Sequence, residues 1–248
     1  VTNQDHESNV GAWRRLADGN SGIVVREWGV DATTGRLDPK GLSRLLNERT
    51  RLVCVTHCSN LAGEINDVAA FATAAHAAGA RIAVDAVSYA PHMIADMKAL
   101  DADFYYFSLY KVFGPHQGLM VVKRQHLERI ANQGHYFNAH LLGKRLTPAG
   151  PQHGEIACAS GVIDYLLEAA RHHSPPPSGE GVGRRVRAVM EQFHAHECAL
   201  ANRVLEFLRD KGARIIGPET AEPGKRAATI AFVPERGTPE GVMQHLAK

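Results

Sequence analysis

The sequence predicts an α/β fold: a mostly parallel central sheet flanked by helices, followed by the start of a smaller α/β unit. Three observations predict it. Apolar runs of strand length occur at Leu52-Val53-Cys54-Val55, Ile82-Ala83-Val84 and Phe104-Tyr105-Tyr106-Phe107. Segments with helical spacing separate or precede them. Each run also stops abruptly at polar residues. Short buried strands alternating with helices imply βαβ units and a parallel sheet covered on both faces.

In chain order, Asn9 to Ala17 has helical spacing, with Val10, Trp13 and Leu16 on one stripe. Ser21 to Trp28 is rich in Val and Ile and reads as a strand. Pro39 to Asn47 reads as a short helix, and Arg51 to Thr56 as a buried strand. Asn66 to Ala78 is an alanine-rich helix that Gly79 would end. Arg81 to Val84 is the second buried strand, and Met93 to Leu100 a short helix. Phe104 to Phe107 and Leu119 to Val122 are the third and fourth strands. Gly154 to Arg171 reads as a helix, and Ser174 to Gly183, dense in Pro and Gly, as a loop. Val186 to Lys211 is a long helix. Two strands, Ala213 to Ile216 and Ala228 to Val233, and a helix starting at Pro239 follow. The expected division is residues 1–173 as a large domain incomplete at its N-terminus, 174–211 as a loop and long connecting helix, and 212–248 as the opening of a small domain.

Composition narrows the function classes. Apolar residues are 44% and charged residues 22%, which is ordinary for a globular chain. A net charge of +2 argues against a nucleic-acid binder, which needs a clustered basic face. The basic run Arg184-Arg185-Val186-Arg187 reads as a solvated helix face. No apolar stretch is long enough to span a bilayer, and no signal peptide is visible at the start. Four irregularly spaced cysteines do not form a disulfide framework, so a reducing, cytoplasmic setting is expected. The chain opens at Val1 almost directly in a helix and closes at Lys248 within another, so both ends look cut.

Ligands of parallel sheets bind beyond the carboxyl ends of the strands. Thr56-His57-Cys58-Ser59-Asn60 follows the first buried strand, Asp85-Ala86-Val87-Ser88 the second, and Ser108-Leu109-Tyr110-Lys111 the third. Three consecutive strands thus end in polar residues, an acid and a lysine among them. Asp85 directly follows apolar residues and must be paired or hydrogen-bonded; the plainer reading is a cap or local turn. A lysine among apolar groups has its ammonium form disfavoured and can form a Schiff base; the plainer reading of Lys111 is a surface lysine. Cys54, His57 and Cys58 lack structural-zinc spacing. Cys58 has no neighbouring base to activate it as a nucleophile. His194 and Cys198, four apart, read as a helix surface. The Gly-x-Gly of the loop near residue 180 lacks the Lys and Ser/Thr of a phosphate loop.

Ala83-Val84-Asp85-Ala86, followed by Asp103-Phe104-Tyr105-Tyr106-Phe107-Ser108-Leu109-Tyr110-Lys111-Val112-Phe113-Gly114-Pro115-His116-Gln117-Gly118, resembles the signature of the cysteine desulfurase and class V aminotransferase superfamily. The match is met at Asp103, Phe104, Phe107, Ser108, Lys111, Gly114, Pro115 and Gly118. The resemblance implies a pyridoxal-5′-phosphate (PLP) enzyme of fold type I acting on an amino acid. In it, Lys111 holds the cofactor and moves the substrate's α-proton. Asp85 pairs with the pyridine nitrogen and keeps it protonated, making the ring an electron sink. Ser108 bonds the cofactor phosphate. His6 stacks on the ring, although alone it reads equally as a solvent-facing histidine at a helix start. Asn60 faces the cofactor's phenolic oxygen or the substrate carboxylate. Ser88 stands where many desulfurases carry a Gln that contacts the cofactor, and Tyr110 where many carry a His. Gly150-Pro151-Gln152-His153 partly matches a turn that reaches the partner subunit's phosphate.

The resemblance further implies a homodimer. It places the phosphate-binding helix turn, the carboxylate-binding Arg and the mobile catalytic Cys of true desulfurases outside residues 1–248. Desulfuration of L-cysteine is the first expectation, with transamination or epimerisation as the alternative. The rival of another class is a fold-type I scaffold that cannot turn over. A flavodoxin-like nucleotide binder would need a Gly-rich first turn, and none is present.

Overall fold

The computed structural model describes every residue except 21, 148, 174–180 and 248. Its centre is a four-stranded sheet: β1 (Leu52–Thr56), β2 (Arg81–Asp85), β3 (Phe104–Ser108) and β4 (Gly118–Val122), ordered β1-β2-β3-β4. β1, β2 and β3 are parallel, while β4 runs antiparallel to β3. The reversal has a simple cause. Residues 109–117 are fewer than the dozen or so that a parallel crossover needs.

The three parallel strands are apolar because they are covered on both sides. Val55, Ile82 and Val84 are fully buried, and they pack with Phe71, Ala72 and Ala75 of α3 (Val68–Ala77) and with Trp28. Alanines let α3 approach the sheet closely. Asp67 caps its start by accepting from the Ala70 N–H at 3.0 Å. Gly79, at φ +74°, turns the chain out of it in a conformation that glycine adopts freely. The other face of the sheet meets α1 (Glu7–Asp18), which contributes buried Asn9 and Val10, and the short helices α2 (Pro39–Leu45) and α5 (Arg124–Leu127) come before β1 and after β4 in the chain.

Several expectations about the elements are corrected. Ser21 lies outside the described residues, and the segment 22–28 forms no strand. Val24 is 74% exposed, and only Trp28 makes a bridge, to Thr2. Its β-branched residues have no strand to pair with there. The helix expected over residues 154–171 is two, α6 (His153–Cys158) and α7 (Ser160–His173), joined at Ala159. The helix expected over Met93 to Leu100 is confined to α4 (Met97–Leu100), started by Asp96. Residues 174–180 of the expected loop lie outside the described residues, and its end is already helical: α8 spans Val182–Asp210.

The first half of α8 packs against α7 through Val186, Val189 and Met190 on Val162, Leu166 and Ala170. Its second half presents Cys198, Ala201, Leu205 and Leu208 to Ile215 of a two-stranded antiparallel sheet, β5 (Arg214–Ile216) and β6 (Ala231–Val233). His194 and Cys198 are therefore buried on the packed stripe, not on a helix surface. The last element is α9 (Pro239–Leu246), capped by Thr238. No helix among the described residues is long and apolar enough to cross a membrane.

The loop after β1 is seated against the C-terminal region. Ala227 N–H donates to Gly63 O at 2.8 Å, and Ile65 N–H to Lys225 O at 3.0 Å. Gly63 has φ +69°, and a Cβ there would lie 2.4 Å from Thr229 O. Gly217, at φ +90°, packs so closely that a Cβ would meet Ala62 O at 2.5 Å.

Candidate functional site

The three parallel strands end at one edge of the sheet, at Thr56, Asp85 and Ser108. Register makes Thr56, Asp85 and Tyr106 lateral neighbours, and residues in register share a face of the sheet. The turns that follow bring Asn60, Ser88 and Lys111 to the same edge.

Asp85 is 4% exposed. One carboxylate oxygen, Oδ1, accepts from the Val87 N–H at 2.9 Å. No side-chain cation pairs with it among the described residues, which is unusual for a buried carboxylate. Burial pushes its carboxyl up; the Val87 hydrogen bond and the positive charges of His6 and Lys111 oppose that rise. The sequence places those two residues 105 positions apart, and the fold brings both within electrostatic reach of Asp85. An acid in this setting is suited to a cationic N–H partner, such as a protonated pyridine nitrogen.

His6 is the N-cap of α1. Its Nδ1 accepts from the Ser8 N–H at 3.1 Å and lies 2.8 Å from the Ser8 hydroxyl, and the ring is exposed. This is the geometry of a histidine at a helix start. Ser88 and Asn60 are half-buried in the turns after β2 and β1, and Ser108 is half-buried at the end of β3.

Lys111 closes a short 3-10 turn, Leu109–Lys111, and is exposed; the apolar surroundings expected for it are not there. The turn is tightly built. Val112 and Gly114 N–H both donate to Leu109 O, at 2.9 and 2.8 Å, and Leu109 N–H donates to Gln117 O at 2.8 Å. Phe113 sits at φ +66°, a sparsely used region for a bulky residue, with its ring 4.6 Å from that of Tyr165. Gly114 has no room for a side chain: a Cβ would lie 2.9 Å from both Leu109 O and Val162 Cγ2. Gly114→Ala is therefore expected to cost about 1–3 kcal/mol and to displace the turn that carries Lys111. Urea unfolding checks the first effect. A changed rate of Lys111 modification by an amine-reactive reagent checks the second. Tyr110 is half-exposed and stacks on His116 with ring centroids 4.6 Å apart.

Asp103, the motif's leading residue, lies at the opposite end of β3. It accepts from the Ile82 N–H at 2.8 Å and contacts His76 (2.9 Å), His126 (2.7 Å) and Lys123 (3.1 Å). Burial alone would push its carboxyl up. The bonds from His76, Ile82, His126 and Lys123 outweigh burial and hold it well below the usual carboxylate range. Its place in the signature is architectural. Burial pushes the thiols of Cys54 and Cys58 up to about 12, so both are inert core groups.

The sequence reading missed a second carboxylate. Asp5 accepts from the Thr2 hydroxyl and, at 2.7 Å, from Asn9 Nδ2, while the Tyr106 hydroxyl donates to Asn9 Oδ1. On its other side Gln4 donates to Glu64 at 2.7 Å and accepts from Asn66, whose amide also reaches Thr56 O at 2.9 Å. The segment bearing His6 is thus tied to both strands that flank Asp85. Only the Asp5–Asn9 spacing of four residues was visible locally; the contacts with Tyr106 and Glu64 span 97 and 60 residues.

Residues 1–145 match the family described as Aminotransferase class-V. The chain is 36% identical to the aminotransferase-like protein FGM3 of Gibberella zeae, over 98% of this chain and 58% of that protein. It is 31% identical to the cysteine desulfurase-like protein ustD of Aspergillus flavus, over 92% of this chain and 50% of that one. It therefore spans little more than half the length of these relatives. The apo structure of a cysteine desulfurase from Thermococcus onnurineus NA1 superposes with a TM-score of 0.75 at 23% identity, over 100% of this chain and 59% of that one. The matched stretch carries the whole parallel sheet, the buried acid at the end of β2 and the tight turn bearing Lys111, and on that match the chain belongs to the class-V aminotransferase family.

Proposed function

We propose that this chain is the cofactor-binding part of a PLP-dependent enzyme acting on the amino group of an amino acid, with desulfuration of L-cysteine as the reaction to test first. The observation that supports this most is Asp85. It is a buried carboxylate without a side-chain counterion among the described residues, at the carboxyl edge of a parallel sheet, feeling the charges of His6 and Lys111. PLP would supply an aromatic electron sink for charge developing at the substrate's α-carbon.

The chain's own groups do the rest. Asp85 would accept a hydrogen bond from a protonated ring nitrogen. Lys111 would hold the cofactor through its amine and would accept or return the substrate's α-proton at Nζ; its exposed position leaves it free to move between the two tasks. His6 would lie against the ring. Ser108 would donate to the phosphate, and Ser88 and Asn60 would offer polar groups to the cofactor. The site is completed by a second copy of the chain, and the protein acts in a reducing compartment such as the cytoplasm.

The test is covalent. PLP is added to the full chain, the adduct is fixed with borohydride, and peptides are mapped by mass spectrometry. A pyridoxyl group on Lys111, absent from Lys111→Ala, is the expected result. A folded chain with no label on Lys111 would favour a scaffold without turnover. Sulfide release from L-cysteine, set against keto-acid formation from amino donors, then separates desulfuration from transamination.

A further inference from the structure

Asp85 has a second carboxylate near it: the fold brings Asp5 to the floor of the same edge. Asp5 precedes His6 directly and is half-buried. It is held by Thr2 and Asn9, and through Asn9 it is linked to Tyr106, which lies beside Asp85 in the register of β2 and β3. No cation pairs with Asp5 among the described residues. We propose that Asp5 is a positioning residue of the cofactor site, acting through Asp85: its negative charge, fixed by the Thr2–Asn9–Tyr106 network, strengthens the hold on a protonated ring nitrogen. The proposal rests on the PLP reading.

The groups facing Asp5 are few. Asp85 comes from β2, Tyr106 from β3, Cys54 from β1, and Thr2 and Asn9 from its own segment and α1. Tyr106 and Cys54 are both pushed up by burial and stay neutral across the working range. Asp5 is raised to about 6, first by burial and further by Asp85, against the hydrogen bonds from Thr2 and Asn9. The two acids therefore oppose each other's ionisation when the site is empty. A ring cation held by Asp85 would relieve the repulsion and gain from both charges. Asp5 thus gains its charge as the pH rises through about 6.

The experiment has two arms. In the chain without PLP, carbon-13 NMR of the labelled carboxyls follows each titration. Asp5→Asn is expected to lower the midpoint of Asp85, and Asp5→Glu to leave it nearer the wild-type value. In the second arm, PLP affinity is measured at pH 8 and pH 5. Asp5→Asn is expected to weaken binding at pH 8 by about three- to tenfold, with little difference at pH 5, where Asp5 is already protonated. Asp5→Glu should restore the pH 8 affinity. A residue that only braced the fold would lower affinity equally at both values, and that result overturns the proposal. An unmoved Asp85 midpoint, with Lys111 still labelled by PLP, overturns it while sparing the functional reading. Failure to label Lys111 in the wild-type chain overturns both.

Discussion

Asp103→Ala is expected to destabilise the chain by about 3–5 kcal/mol, the cost of removing one side of a buried charged cluster. The side chain is 3% exposed and serves four donors from three places: the start of β2 through Ile82, the last turn of α3 through His76, and the segment after β4 through Lys123 and His126. Without it, the Ile82 N–H and the polar ends of His76, His126 and Lys123 are left facing a cavity. Asp103→Asn keeps the size but loses the charge, and should lie between wild type and alanine. The pH dependence has a defined sign. The folded carboxyl lies below its unfolded value of about 3.9. Its stabilisation is thus complete above that value and is lost as the pH falls toward the folded one. The stability gap between wild type and Asp103→Asn should be widest near neutrality and should close below about pH 4. Urea midpoints measured from pH 7 to pH 3 read it; a gap that widens on acidification would contradict the assignment.

Asp85→Asn should separate function from stability. Asparagine can still accept from the Val87 N–H, so the local turn survives. The charge for a cationic partner is gone, however, and PLP binding at pH 8 should weaken by about 10- to 100-fold, the range for a lost hydrogen bond to a charged group. The empty chain should respond in the opposite direction. Because burial raises the Asp85 carboxyl, folding favours its neutral form, and its contribution to stability is lost as the pH rises through the folded value. The asparagine chain should therefore be no less stable than wild type at pH 8, and more stable if the penalty dominates. Thermal unfolding with and without PLP measures both quantities in one series. A variant that loses stability and affinity together would mark Asp85 as a structural residue.

Much of this architecture was legible in the chain because burial on both faces leaves a simple trace. The apolar runs at 52–55, 82–84 and 104–107 stood where β1, β2 and β3 lie, and the residues just past them reached one edge. What failed, failed for tertiary reasons. Ile23, Val24 and Val25 look like a strand, yet they pair with no strand among the described residues, and β propensity is decided by packing. The four-residue spacing of His194 and Cys198 reads as a helix surface, yet both are buried. The stripe they share with Ala201, Leu205 and Leu208, spaced three and four apart, was the available signal that they face inward. The exposure of Lys111 depends on how the turn at Leu109 closes, and no local pattern reports that. Asp5 was hidden because its role depends on Tyr106, a residue of another strand.

The glycines at 63 and 217 have a mechanical consequence. At both, backbone touches backbone where any side chain would collide, so the loop holding Asn60 and the two-stranded sheet behind it are geared together. If that sheet tilts on the end of α8, the loop must travel with it. Any residue larger than glycine at either position would therefore push the loop and the sheet apart.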